Sequence, residues 1–465
     1  MALREALARA GYEAKAIVER LGAIETPSRR AGNLPRLLRA TSSGDPLDTF
    51  IRLFLFGLPV DRTAALEPWR RAGLAESHDD ALLARVKLTP FADAIHASDF
   101  ARTGAADVVP GVTGASQALL HFTVRRPCRK ALDLGSGCGI QAFAAARHGD
   151  RVVAIDSNPR AVAFTRFGAA LNGLANVECR QGDALAPFGG ERFDLIVSNP
   201  PFLISPSLRY QYRDSGLAGD EFCRRLIRLA PDLLEEGGFF QICLDWVHHR
   251  GMDWKERLAG WFEGSGCDVW VLRNQTEDPA AYAERWIRDT EAEDAEPRAQ
   301  LAGQWLDYYE SLGIEAFSTG WIAMRRRAAR SNWLRFDEAP ERTIEPFGEV
   351  VATVFALNDF LQDGDLLEQR LRLAPEVRLD HRSRWEEGRW IPVSTEIALV
   401  RGLFFRAEVD FLVVAVLARL DGGRTLGEVF AEIAGALGKP SEEITGECLD
   451  VLRGLVGQGF LLPAH

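Results

Sequence analysis

Ala131-Leu-Asp-Leu-Gly-Ser-Gly-Cys-Gly139 joins a short apolar strand to a turn with glycine at 135, 137 and 139. Glycines this close let the backbone turn sharply and let a ligand approach it without meeting a Cβ. A second apolar run, Arg151-Val-Val-Ala-Ile155, ends on Asp156, whose carboxylate can accept the two hydroxyls of a ribose. The interval after Gly139 predicts one helix over 140–148. The unit is therefore strand, glycine loop, helix, strand with an acidic end, a pattern that suits a nucleoside.

A dinucleotide enzyme is the first rival. Against it, Asp133 sits inside the motif, where a pyrophosphate would face a negative charge and a ligand with a cationic or amino-bearing tail would not. The next two strands sharpen the choice. Val177-Glu-Cys-Arg-Gln-Gly-Asp183 ends on another carboxylate, and Phe193-Asp-Leu-Ile-Val-Ser198 leads into Asn199-Pro-Pro-Phe202. Prolines alone would make that tetrad a rigid strand exit, but they leave the Asn and the aromatic residue unselected. In this order the residues resemble a class I S-adenosylmethionine-dependent methyltransferase of the Asn-Pro-Pro-aromatic group, which methylates nitrogen in protein glutamine amides or in exocyclic amines of nucleic-acid bases.

The resemblance implies a role for each matched position. Asp133, Gly135, Gly137 and Gly139 would surround the methionine part of the cofactor, Asp156 would bind its ribose, and Asp183 would contact the adenine amino group. Asn199, also beside the cofactor, would hold the target nitrogen together with the carbonyl of Pro200, and Phe202 would stack over the planar acceptor. The chemistry of these residue types agrees. A planar amide or aryl amine is a weak nucleophile because its lone pair is delocalised, so the site must orient that lone pair toward the methyl group. Two carbonyl acceptors do this and stabilise positive charge growing on nitrogen, without either being a strong base.

Composition bounds the remainder. A chain of 465 residues is long for one core and predicts two or three domains. The net charge of -11 disfavours a large polyanion footprint while leaving room for a local basic patch. Seven cysteines show neither close pairing nor metal-ligand spacing, so no metal and a reducing compartment are expected. No stretch approaches transmembrane length, and the charged start lacks the apolar core of a secretory signal. These features predict a cytoplasmic protein without a membrane partner.

Three domains are expected. Residues 1–108 read as a helical, winged-helix-like domain: helices over 2–21, 34–40, 45–56 and 62–72, then a hairpin of 82–88 with 95–100. Residues 109–330 read as a seven-stranded, Rossmann-like α/β methyltransferase domain. In it Thr113 and Ser116 precede the first strand, as cofactor neighbours or simply as cap residues. Arg125, Arg126, Arg129 and Lys130 form a basic rim. The polar loop after Phe202 loosely resembles that of protein-glutamine methyltransferases, and its Tyr210, Tyr212, Arg213 and Asp214 can either grip a substrate or anchor the loop. A helix from Asp220 through Glu235 is expected to end at Gly237-Gly238 before a fifth strand at 239–245. Helices over 279–288 and 299–312 precede the last strand and add a wall near the substrate face. Residues 331–465 read as an α+β accessory domain with strands at 348–355, 370–373, 377–379 and 390–393, three helices, and a winged-helix-like end that implies a partner surface.

Two classes of function fit: an N-methylating enzyme, or a decayed methyltransferase kept as a binding scaffold. The intact Asp133, Asp156, Asp183, Asn199 and Phe202 favour the enzyme. For its acceptor, the acidic charge and the loop favour a protein or peptide amide. The run Arg325 to Arg327 with Arg330 and the winged-helix-like ends favour a base amine of ribosomal or transfer RNA. Oligomeric state leaves no mark in the sequence.

Overall fold

The computed structural model describes residues 2–22, 33–63, 66–100, 105–186, 188–290, 295–328, 331–340, 346–375, 377–400 and 402–464. They fall into two compact units, one of residues up to Leu120 with Arg126–Asp337, the other of His121–Arg125 with the chain from Glu338.

The first unit is built on an eight-stranded sheet of β1 (Cys128–Leu134), β2 (Gly149–Asp156), β3 (Val177–Gln181), β4 (Phe193–Ser198), β5 (Leu234–His249), β6 (Cys267–Glu277), β7 (Ile314–Arg326) and β8 (Leu334–Glu338). Their order across the sheet is β3-β2-β1-β4-β5-β7-β6-β8. The first five strands pair in parallel, and β7 runs antiparallel to both β5 and β6. Strand order reverses between β1 and β4, and open α/β sheets bind ligands beyond the carboxyl ends of the strands at such a point. Buried Leu132, Val153, Ile196, Ile242 and Leu244 belong to a core that includes Leu226, Ile227 and Ala230 of helix Glu221–Leu233. Continuous apolar runs in these strands follow from helices covering the sheet.

Seven strands are expected from the sequence, and β8 is the addition. Leu-Arg-Phe-Asp-Glu is too polar to be read as a strand, yet it joins the edge beside β6. The Trp270 indole donates to Asp337 Oδ2 at 2.7 Å, and the Val269 amide donates to the Trp333 carbonyl at 2.9 Å. Gly237-Gly238 is not a helix end. The helix stops at Leu233, β5 starts at once, and the register shifts between Leu234 and Phe239. A Cβ on Gly238 would lie 2.9 Å from the carbonyl oxygens of both Glu235 and Phe193, so this bulge requires glycine.

The amino-terminal part of the unit differs in detail from the expected elements. The first helix is two, Ala2–Arg9 and Ala14–Leu21, separated around Gly11. The third is Pro46–Phe50 continued by a wider π-helical turn, Ile51–Leu55, and the fourth is seen as Glu67–Arg71, with positions 64–65 of the expected span outside the described residues. The run 82–88 divides between two strands: Ala81–Ala84 pairs with Ala75–His78, and Lys87–Phe91 makes the hairpin with Ala94–Ser98. This hairpin is stitched to helix Pro159–Asn172, because the Asn172 side chain bonds both the amide and the carbonyl of Ile95 at 2.8 Å.

In the second unit the expected strand at 348–355 is a helix, Gly348–Asp363. Its Val-Val-Ala-Thr-Val-Phe run suits a strand by composition, but Val351, Ala352, Val354 and Phe355 are the buried positions, the spacing of one helix face. Arg370–Leu373, Val377–Glu386 and Arg389–Leu399 are strands, and Phe411–Leu417, Leu426–Leu437 and Ser441–Gln458 are helices. Among the described residues no helix is long and apolar enough to cross a membrane.

Candidate active site

The glycine turn lies at the sheet's reversal point. Gly135 and Gly137 have φ of 79° and 52°, and a Cβ on Gly137 would meet no heavy atom within 4 Å. The nearest atom to a Cβ on Gly135 would be the Asn199 carbonyl oxygen at 3.8 Å, which places the tetrad beside the turn. Gly139 has another task. Its Cβ would strike the Phe143 ring at 2.6 Å, so glycine there serves the packing of helix Ile140–Ala145.

Asp156 is half-buried at the end of β2 and already oriented. Its Oδ2 accepts from the Gly137 amide and its Oδ1 from the Asn158 amide, each at 2.9 Å. Burial raises its pKa above the ordinary carboxylate value, against the pull of those two amides. The Gly182 amide donates to the Asp156 carbonyl at 3.0 Å and brings the β3 exit alongside. There Asp183 is exposed and accepts from the Leu185 amide at 2.9 Å.

Asp133 is only 3% exposed, and its Oδ2 accepts from the Ala142 amide at 2.9 Å. Burial, reinforced by the nearby Asp156 charge, pushes its pKa up to about 7 despite that hydrogen bond. The folded state thus holds its proton more tightly than the unfolded chain, where the ordinary value is 3.8. The sign follows: Asp133 contributes a stability that is complete below about 4 and is lost as pH rises to about 7. Asp133→Asn should flatten that part of the profile. Urea midpoints of both proteins at pH 5 and pH 8 test this, and equal declines would show that Asp133 does not titrate there.

Asn199 follows β4 and is half-buried. The register sets Ser198 opposite Ile242, so Cys243 of β5 comes next to Asn199, and its S–H donates to Asn199 Oδ1 at 3.1 Å. Burial raises the Cys243 pKa, keeping the thiol protonated as that donor. Pro200 is buried, and the half-buried Phe202 meets Trp286 edge to face, with centroids 6.2 Å apart at 70°. Cys243 and Trp286 escape sequence reasoning, because nothing in an apolar strand or a surface helix marks a partner 44 or 84 positions upstream.

The loop after Phe202 folds back on itself, since the Leu203 amide donates to the Arg213 carbonyl at 3.1 Å. Tyr210 and Tyr212 have ring centroids 5.7 Å apart. Arg213 is 3% exposed; its guanidinium lies 4.8 Å from the Tyr210 ring centroid and donates to Thr290 Oγ1 and to Asp214. Thr113 and Ser116 bond each other reciprocally at the start of helix Gly114–Phe122. Of the basic run, Arg325 is buried and paired with Asp268 at 2.7 Å, Arg326 donates to the Pro231 carbonyl, and Arg330 lies outside the described residues.

The S-adenosylmethionine implied by the sequence fits these residues. Open space lies over Gly137, the Asp156 carboxylate is held with lone pairs to spare, and the buried Gln141, whose Nε2 donates to the Ser116 carbonyl, keeps an Oε1 with no hydrogen-bond donor among the described residues.

Residues 111–265 match the family model described as methyltransferase small domain, and residues 9–92 and 352–463 match two domains of unknown function, DUF7059 and DUF7782. The release factor glutamine methyltransferase of Geobacter sulfurreducens is 33% identical over 175 residues, 34% of this chain and 59% of that protein. The ribosomal RNA small subunit methyltransferase C of Alcanivorax borkumensis is 35% identical over 122 residues, 26% of this chain and 34% of that one. A SAM-dependent methyltransferase from Thiobacillus denitrificans, solved with S-adenosyl-L-homocysteine, covers 46% of this chain and 92% of its own at 20% identity and a TM-score of 0.28. The chain therefore spans less than two thirds of the length of these two curated relatives. Its central region is related to the class I methyltransferases that act on protein glutamine and on ribosomal RNA bases.

Proposed function

We propose that this chain is an S-adenosylmethionine-dependent N-methyltransferase whose acceptor is a planar amide of a protein, a glutamine side chain above all. The observation that carries this reading is the Asn199 carbonyl set against the glycine turn at the reversal point, with Phe202 three residues on. When bound, S-adenosylmethionine supplies a methyl group on a positively charged sulfur. The chain's own residues do the rest. Asp156 receives the ribose hydroxyls, and Asp183 the adenine amino group. Asn199 Oδ1 and the Pro200 carbonyl accept the acceptor's N–H bonds, which turns its lone pair toward the methyl group and stabilises charge as it develops on nitrogen. Phe202 supplies the flat surface against which an amide stacks, and Tyr210, Tyr212 and Arg213 shape the loop beside it.

A protein amide is favoured over an RNA base by the state of the arginines. Arg325 is buried against Asp268 and the half-buried Arg326 is tied to the Pro231 carbonyl, which leaves less of the densest basic run for phosphate contact. We read the regions 1–108 and 331–465 as accessory domains with winged-helix-like ends, the latter offering a partner-binding surface, and the region 109–330 as the methyltransferase domain. The test is transfer of labelled methyl from S-adenosylmethionine into cell lysate treated separately with protease and with ribonuclease. Label that protease abolishes and that maps to glutamine is expected; label lost only to ribonuclease would replace this reading by RNA methylation.

A further inference from the structure

Helices Pro279–Thr290 and Ala295–Ser311 lie beyond residues 111–265, the span that matches the methyltransferase small domain model, yet they hold the chain just past the tetrad by both of its backbone polar groups. The Ile204 amide donates to Tyr282 Oη at 3.3 Å, and the Ile204 carbonyl accepts from Tyr309 Oη at 2.9 Å. Each helix thus contributes one phenol. A buried amide and carbonyl outside regular structure must find partners, and here a separate layer of the protein provides them.

Both phenols are themselves fixed. Tyr282 donates its proton to Asp245 Oδ2 at 2.7 Å, while Asp245 Oδ1 accepts from Thr319 Oγ1 at 2.7 Å. The Tyr282 ring stacks on Phe317 with centroids 4.0 Å apart, and Tyr309 meets the same Phe317 edge-on at 4.6 Å. One helical turn after Tyr282, Trp286 packs against Phe202, and the Arg285 guanidinium lies over both the Tyr282 and Trp286 rings.

We propose that this helix pair is the specificity element of the acceptor site, with Tyr282, Tyr309 and Trp286 as positioning residues that set the tilt of the Phe202 ring and so decide which amide-bearing segment is admitted. The proposal rests on the methyltransferase reading above and deepens it. Asp245 anchors Tyr282 of the first helix from β5, so this side of the acceptor wall is referenced to the same strand that supplies Cys243 to Asn199.

The experiment uses the full chain and the variants Tyr309→Phe, Trp286→Ala and Trp286→Phe. Affinity for S-adenosylhomocysteine is measured by calorimetry, KM and kcat with a protein acceptor, and hydrogen exchange across residues 199–206. Tyr309→Phe removes a donor to a carbonyl and deletes no partner of any amide, so faster exchange in that segment reports loosened positioning. Tyr309→Phe and Trp286→Ala should each raise acceptor KM about five- to tenfold, the equivalent of one lost hydrogen bond or ring contact, with cofactor affinity within twofold. Trp286→Phe should restore KM toward the parental value. Unchanged KM in both variants, or unchanged exchange in Tyr309→Phe, would overturn the proposal. Parental protein that binds S-adenosylhomocysteine but methylates no glutamine would remove the functional reading alone, and the exchange result would still decide whether the helix pair positions the tetrad.

Discussion

Asn199→Ala should lower turnover by about two orders of magnitude or more while leaving cofactor affinity nearly unchanged, the loss typical of one acceptor or donor aimed at developing charge. The structure gives the reason for separating the two quantities. Asn199 Oδ1 is held by the Cys243 thiol at 3.1 Å, so it is oriented before any acceptor arrives, and its removal loses a prepaid interaction. Phe202→Ala should act otherwise and first weaken acceptor binding, because it deletes a surface and no charge-stabilising group. Rate and affinity measured separately distinguish the two roles. Stable Asn199→Ala protein that transfers methyl groups at the parental rate would take the residue out of the mechanism and, with it, the case for a nitrogen acceptor.

What could be read from sequence was what local spacing determines. Gly135, Asp156, Asp183 and Asn199 each follow a strand-like run, and strand ends on one side of a parallel sheet converge whatever lies between them. The partners of those residues come from distant chain and left no local trace. Asp133 looks like a free carboxylate in a glycine loop, but it is buried and accepts the Ala142 amide, which only the fold of helix Ile140–Ala145 reveals. Arg325 reads as one of a basic cluster, yet in the β6–β7 register it sits directly opposite Asp268 and pairs with it. The apolar run at 348–355 favours a strand by composition and becomes a helix because its buried positions fall on one helical face. Tyr282 and Tyr309 could be placed on helices from sequence, but not on Ile204, since a phenol's partner is set by packing alone.

Asp156→Ala should weaken S-adenosylmethionine binding by about ten- to a hundredfold, as expected for loss of a charged acceptor worth about 1.5–3 kcal/mol. Two effects contribute, and the geometry lets them be separated. The carboxylate is the proposed acceptor of the ribose hydroxyls, and it also accepts the Gly137 and Asn158 amides at 2.9 Å, which shapes the glycine turn itself. Asp156→Asn keeps one oxygen for the turn and loses the charge, so it should fall between the parental protein and Asp156→Ala in affinity. The pH dependence adds a second signature. Because burial raises the Asp156 pKa, its charge is lost at a higher pH than an exposed carboxylate's, and affinity should begin to fall sooner as the solution is acidified. Calorimetry at several pH values, with thermal unfolding to confirm that each variant is folded, measures both. Folded Asp156→Ala protein that binds S-adenosylmethionine as tightly as the parent would mean that the ribose is held elsewhere, and that the acidic end of β2 serves only to set the turn.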